Sequence, residues 1–411
     1  MTNKLNGFLN IFILVFLLVT FIFLIYDKSY ETHRFKIIEN EQLKISSKLQ
    51  KYFDIHEKIL NSVDPMKKIV FSEHVRVGFG NRLYNVLTST LIAILSDSAI
   101  QIKWPYIDKY IKTPALYALR FCESTSQLSI DYRDRELNFI LPEGTENNWS
   151  YDKKLELIGI SSINTDHKRL VYNGYMPHFF ELSANPIYYN KLLEYGLVRN
   201  ETIFKANEAL SNDNMNELEK IESLYMIGFE VGSNLLNEFW LIKPSFLNEI
   251  NSFYNDNLKD YFVIGMQFRL EYLNEDDDIG RFVKCAEYIQ RLNKVSNRVK
   301  WFVTSDSERI FKLLKKFTKG IEIVRGRGKI GHIIEDPHNY YRTIMDNELL
   351  SRSNEIIITG GSTYGFVASM KKGKLPYYIE GKREYEANEN EECKIMTFNR
   401  GPRNHYGDSV L

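Results

Sequence analysis

The chain has 411 residues, 44% of them hydrophobic and 26% charged, an ordinary globular composition with enough length for two domains. Lys plus Arg and Asp plus Glu balance at 53 each, which argues against a nucleic-acid partner or a polybasic membrane patch.

Residues 1–7 form a short leading segment. Phe8 to Tyr26 is an apolar run of about 19 residues in which only Asn10 and Thr20 are clearly polar, long enough for a transmembrane helix. It lacks the shorter core and small-residue cleavage site of a signal peptide, so it reads as an uncleaved signal-anchor with 1–7 as a cytoplasmic tail. Lys4 precedes it and Lys28, Arg34 and Lys36 follow, so charge alone leaves the orientation open. The sequons Asn148-Trp-Ser150 and Asn200-Glu-Thr202 lend weight to a lumenal body glycosylated at Asn148 and Asn200. Residues 27–62 are charged and helix-favouring and read as a helical stalk, or stem. Ile38, Ile45, Tyr52 and Ile59 recur every seven residues, but Gln42, Leu49 and His56 lie between them. That is half a heptad pattern, compatible with a homodimer through the stem.

A body domain over 63–255 opens with the short strand Lys68 to Phe71, then Arg76-Val-Gly-Phe-Gly-Asn-Arg-Leu83, a helix to about Leu95 and a strand from Ala99 to Trp104. This is a βαβ unit with a glycine-bearing first turn. It lacks the third glycine of a dinucleotide fingerprint, and no acidic residue is placed for a ribose. Asn81 and Arg82 at the helix start face a ligand or merely cap the helix. Helical patterns follow at 190–197, 207–224 and 244–253, without a repeat or a linker that marks a boundary. Cys122, Cys285 and Cys393 allow at most one intrachain disulfide and fit no metal site. Cys285 falls in a helical stretch and reads as core rather than as a partner.

From Tyr261 strands at 261–269, 299–305, 320–325, 354–359 and 375–380 alternate with helices at 280–294, 307–317, 340–352 and 363–371. Repeating βα with apolar strands implies an α/β domain over 256–390, a parallel sheet covered on both faces, with 391–411 as a tail. Ligands bind off the carboxyl ends of such strands. Those ends carry Arg269, Ser305-Asp306, Arg325 to Gly328 and Gly360 to Tyr364. After the run Glu355-Ile-Ile-Ile-Thr359, Gly360-Gly361 breaks the strand and Ser362-Thr363 begin a helix, a seat for a diphosphate. Guanidinium for phosphate charge, helix N-terminus for phosphate oxygens and carboxylate for ribose or base groups together suit a nucleotide diphosphate.

Val77-Gly-Phe-Gly-Asn-Arg-Leu83, Val263-Ile-Gly-Met-Gln-Phe-Arg269, Thr304-Ser-Asp-Ser307 and Ser362-Thr-Tyr-Gly-Phe-Val-Ala368 come in an order that resembles the fucosyltransferases of the plant xyloglucan type. More distantly the chain is similar to the nodulation, core α1,6 and O-fucosyltransferases. Leu349 to Thr359 matches the family's last motif; the likeness spans roughly 66–110 and 240–385. The resemblance implies a GT-B-like architecture with two Rossmann-type domains with parallel sheets, a GDP-fucose donor, a glycan or glycoprotein acceptor, inversion at the anomeric carbon, no metal or other cofactor, and a Golgi membrane protein, single-pass type II. Arg269 would then bind the β-phosphate and be the catalytic residue. Gln267, Ser305, Asp306, Ser362, Thr363 and Tyr364 would line the donor site, and Gly80, Asn81 and Arg82 would close it from the other domain. Several relatives carry two adjacent arginines where this chain has Arg269-Leu270, and many have a histidine where Gln267 stands.

The general base is not fixed by any motif; Glu73, Asp276, Asp277 and Asp278 are candidates. Asp276-Asp277-Asp278 reads either as a DxD-type metal pair or as a solvated acidic loop before a helix. Arg325-Gly-Arg-Gly-Lys329 could hold phosphate or be an exposed basic turn, and His332 and His338 have no assigned role. The alternatives to a fucosyltransferase are a non-catalytic carbohydrate-binding module of the same fold and a GT-B transferase with another nucleotide sugar.

Overall fold

The structure is a computed structural model that describes residues 46–63, 68–72, 77–113, 169–172, 177–273, 275–295, 298–318, 320–330, 340–380 and 393–395. The apolar run Phe8–Tyr26, Glu73, the sequon at Asn148, Cys122, His332 and His338 lie outside the described residues. Among the described residues no helix is long and apolar enough to cross a membrane.

Helix α1 (Ser47–Asn61) is capped by Ser46, whose hydroxyl accepts from the Leu49 N–H. Expected within the stem, it instead packs on the body. Leu49, Tyr52, Phe53 and His56 are buried, Tyr52 donates to the Ser98 carbonyl at 3.1 Å, and His56 Nδ1 accepts from the Ile100 N–H at 3.1 Å. Tyr52, read as one of the heptad positions, is therefore spent on the helix's own chain.

Strand β1 (Ile69–Ser72), helix α2 (Phe79–Leu95) and strand β2 (Ala99–Ile102) form the expected βαβ unit; β1 pairs in parallel with β2. After β3 (Ile111–Lys112), β4 (Arg169–Tyr172) joins the other side of β1, giving a parallel sheet in the order β2-β1-β4. Helix α2 is apolar on nearly every side and accordingly buried throughout, apart from Asn81. Asn85 fixes its place, taking a hydrogen bond from Ser72 and donating to the Tyr172 carbonyl at 3.2 Å.

The middle is helical: α3 (Phe179–Ala184), α4 (Tyr189–Glu194), α5 (Asn200–Leu210), α6 (Glu217–Glu238) and, after β5 (Leu241–Ile242), α7 (Pro244–Asn257). The helical stretch expected over 207–224 is two helices parted by a turn. The break was encoded: Asn216 and Glu219 make a capping box that starts α6. The short β3 and β5 pair antiparallel.

The second sheet is built as its rhythm implied, from β6 (Phe262–Phe268), α8 (Glu275–Leu292), β7 (Val299–Ser305), α9 (Arg309–Leu314), β8 (Glu322–Val324), α10 (Tyr340–Ser351), β9 (Glu355–Thr359), α11 (Thr363–Lys372) and β10 (Tyr377–Ile379). A last strand, β11 (Lys394–Ile395), runs antiparallel on β10, so the order is β11-β10-β9-β6-β7-β8. Phe268 packs on Phe282 of α8 at 4.2 Å between ring centres, and Gly265 lies against Leu350 and Ser353 on the opposite face. Both faces are thus covered. Cys285 of α8 is disulfide-bonded to Cys393, against the reading of Cys285 as a core residue without a partner; 108 residues separate the two. The edge strand carries the second sulfur to a helix that apolar patterning alone had accounted for.

Candidate functional site

Strand order reverses at the β6–β9 pair: β7 and β8 extend from β6 one way, β10 and β11 from β9 the other. Such a reversal opens a crevice at the carboxyl ends of the two strands, because their outgoing connections diverge to opposite faces. Arg269 ends β6, and the Gly360–Thr363 turn ends β9. The two most prominent candidates of the sequence therefore flank one crevice.

Thr359, the last residue of β9, joins them. Its buried hydroxyl accepts from the Arg269 N–H at 2.9 Å and donates to the Gln267 carbonyl at 3.1 Å. The chain then turns through Gly361, whose φ of +73° lies in the left-handed region that glycine adopts without strain. Ser362 caps α11 by position, though its side chain makes no capping hydrogen bond. Gln267, expected to line the site, points the other way: it is 3% exposed, with its amide oxygen against the Thr359 N–H at 3.4 Å. It supports the turn from behind.

The Arg269 side chain is 24% exposed and lies among carboxylates. Glu271 Oε1 is 2.8 Å from Nε and 2.5 Å from Nη2; Asp306 Oδ2 is 3.5 Å from Nε. The other Asp306 oxygen accepts from the Leu270 N–H at 3.1 Å and the Ser305 hydroxyl at 3.2 Å, so this carboxylate is anchored at the end of β7. Tyr272 places its ring 5.5 Å from the guanidinium carbon. Ser305 and Asp306 thus join Arg269 as expected. Glu271 was missed, for a lone exposed glutamate just past a strand gives no pattern.

The first sheet meets this crevice through the N-terminus of α2. A Cβ on Gly80 would lie 2.5 Å from the Thr363 carbonyl carbon and 2.6 Å from both Thr363 Oγ1 and Tyr364 N. Only a glycine lets the two helix starts come so close. Phe79 packs on Tyr364 at 6.0 Å, and the buried Tyr364 hydroxyl donates to the Thr343 carbonyl at 2.8 Å, its pKa held well above the usual value by burial. Arg82 does not face the crevice. It is buried, donates to the Val77 carbonyl at 2.8 Å and the Tyr340 hydroxyl at 3.0 Å, and lies 5.8 Å from the Trp104 ring. Burial lowers its pKa, an effect Tyr340 partly offsets. Asn81 is half-buried, the residue of α2 nearest to solvent.

Beneath the same edge, Arg342 and Asp346 of α10 pair at 2.5 Å, both buried; Arg342 also donates to the carbonyls of Gly326 and Gly328 and so shapes the turn after β8. Burial raises the Asp346 pKa to about 6 against the opposing pull of Arg342 and Thr304. The helical spacing of four residues was the signal that could have found this pair. Arg325 and Arg327 of that turn are exposed, Arg325 paired with Glu308 at 2.9 Å. The basic run is thus an exposed turn. Asp276-Asp277-Asp278 falls in the first turn of α8 rather than in a loop, with Asp278 buried against Arg281 at 3.0 Å. Among the described residues no three His, Cys, Asp or Glu side chains group to hold a metal ion. Asn200, the sequon inside the described residues, is exposed at the start of α5.

No family model matches the chain, and no curated protein matches it. Among solved structures it is similar to Arabidopsis thaliana FUT1, a mutant in complex with GDP, with a TM-score of 0.55 and 15% identity over 86% of this chain and 83% of that one. The fucosyltransferase NodZ from Bradyrhizobium aligns with a TM-score of 0.43 and 13% identity over 80% of this chain and 99% of that one. The likeness to FUT1 extends the resemblance read from the sequence to the fold.

Proposed function

We propose that this chain transfers fucose from GDP-fucose to a glycan hydroxyl, with inversion and without a metal. The observation that carries the reading is the juxtaposition of Arg269 with the N-terminus of α11 across the β6–β9 reversal. Arg269 takes the β-phosphate, the N-terminus of α11 from Thr363 onward takes its neighbour, and Ser305 and Asp306 border the nucleoside. The fold shared with a structure that holds GDP supports the choice of donor.

The chemistry follows from the charges. The bond from the anomeric carbon to the β-phosphate oxygen breaks and its electron pair leaves with GDP. The acceptor oxygen bonds to that carbon, and its proton goes to water. Negative charge grows on the diphosphate, where Arg269 and the helix start are aimed; loss of one such contact lowers rates about 100- to 1000-fold. Two domains, 63–255 and 256–390, would close on the donor at the Gly80–Thr363 seam. A Golgi membrane location, single-pass type II through residues 8–26, completes the proposal. The Cys285–Cys393 disulfide supports it, since such bonds persist in oxidising compartments.

The test is GDP release by the purified full-length chain from GDP-fucose, compared with GDP-mannose and UDP-sugars, with and without EDTA. Turnover of GDP-fucose alone, indifferent to EDTA, is expected. Preference for a UDP-sugar, or loss with EDTA, would reject the donor or the metal-free mechanism. Absence of binding to every donor would leave a non-catalytic module.

A further inference from the structure

The two carboxylates beside Arg269, Asp306 past the end of β7 and Glu271 past the end of β6, are unlike in how they are held. Asp306 is anchored by a backbone N–H and a hydroxyl. Glu271, in the 3₁₀ turn Leu270–Tyr272, is 53% exposed and reaches back to the Arg269 guanidinium. A diphosphate on Arg269 would therefore meet a carboxylate at ion-pair distance. That contact weakens binding of the ground state. The same charge becomes favourable when the sugar's bond breaks, since positive charge then grows on the anomeric carbon and ring oxygen, next along from the phosphate. An interaction poor in the ground state and good in the transition state accelerates the chemical step.

We propose that Glu271 is a second catalytic residue, one that faces the donor sugar, accepts a hydrogen bond from a sugar hydroxyl and stabilises the positive charge while Arg269 stabilises the departing diphosphate. The proposal rests on the transfer reaction proposed above. The step balances with no proton passing through Glu271: the electron pair of the broken bond leaves with GDP, and the acceptor's proton goes to water.

The experiment compares the full-length wild type with Glu271→Gln and Glu271→Asp. Calorimetry reads GDP affinity, and GDP release from GDP-fucose into water reads kcat without the acceptor. The Gln variant is expected to bind GDP about fivefold more tightly, the repulsion having been removed, and to lose about 100-fold in kcat. The Asp variant keeps the charge, so it should bind GDP as the wild type does and recover part of the turnover. Glu271 is exposed, so unchanged thermal unfolding is expected to accompany both variants. Weaker GDP binding by Glu271→Gln would show a group that only positions Arg269, and an unchanged kcat would show a bystander; either overturns the proposal. A wild type that neither binds nor releases GDP sinks the transfer reading and this inference with it.

Discussion

The two arginines that follow glycine-bearing or strand-end motifs, Arg82 and Arg269, are used in opposite ways. Arg82 is enclosed by Val77, Trp104 and Tyr340, its donors directed at a carbonyl and a hydroxyl. Arg269 is half-buried, with its guanidinium set among carboxylates. The first sheet thus contributes a sealed, close-packed seam and the second contributes exposed charge. A basic residue at the end of a strand is a site candidate only when its donors face outward.

The contrast is broken most severely at Arg269. Arg269→Ala should lower turnover at least 100-fold while thermal unfolding stays near that of the wild type; a folded variant with full activity would end the phosphate assignment. At the seam, Gly80→Ala should cost about 1–3 kcal/mol in denaturant unfolding, because its Cβ meets backbone rather than a movable side chain. Wild-type stability would mean the helix starts are not held together.

His56 tests the packing of α1. Burial lowers its pKa to about 4 from 6.5, so the neutral ring is the form that fits. The resulting stability is present above pH 6.5 and is lost as pH falls from there toward 4, by about 2 kcal/mol between pH 7 and 5. His56→Asn, which keeps an acceptor for the Ile100 N–H, should flatten that slope; an unchanged slope would place the titration elsewhere. The smallest effect is expected of Arg325→Ala, which removes an exposed pair and should change stability by less than about 1 kcal/mol and leave turnover intact. A clear loss of donor affinity would return the basic turn to the site.

What could be read from the sequence divides along the same line. The second sheet was legible because its strands are buried on both faces and appear as unbroken apolar runs, Ile356 to Ile358 above all. Arg269, Ser305, Asp306 and the glycine turn were legible because they end such runs. Direction was not: nothing in Gln267 or Arg82 says that it faces inward, since that depends on Thr359 and Tyr340, residues far along the chain. The Cys285–Cys393 pairing was equally hidden, for no local pattern links residues 108 positions apart. The seat of α1 on the body escaped for the same reason, as Tyr52 and His56 bond to the backbone of β2 and the residue before it.

That disulfide also decides where the larger sheet stops. Strand β11 has only two residues, too few backbone hydrogen bonds to stay in place by themselves, yet it covers the open side of β10. With the bond reduced, Tyr377 to Ile379 would present bare N–H and C=O groups, a template for another molecule's strand. Reduction of one sulfur pair is therefore expected to expose a pairing edge, and light scattering on addition of a reductant should report any self-association that follows.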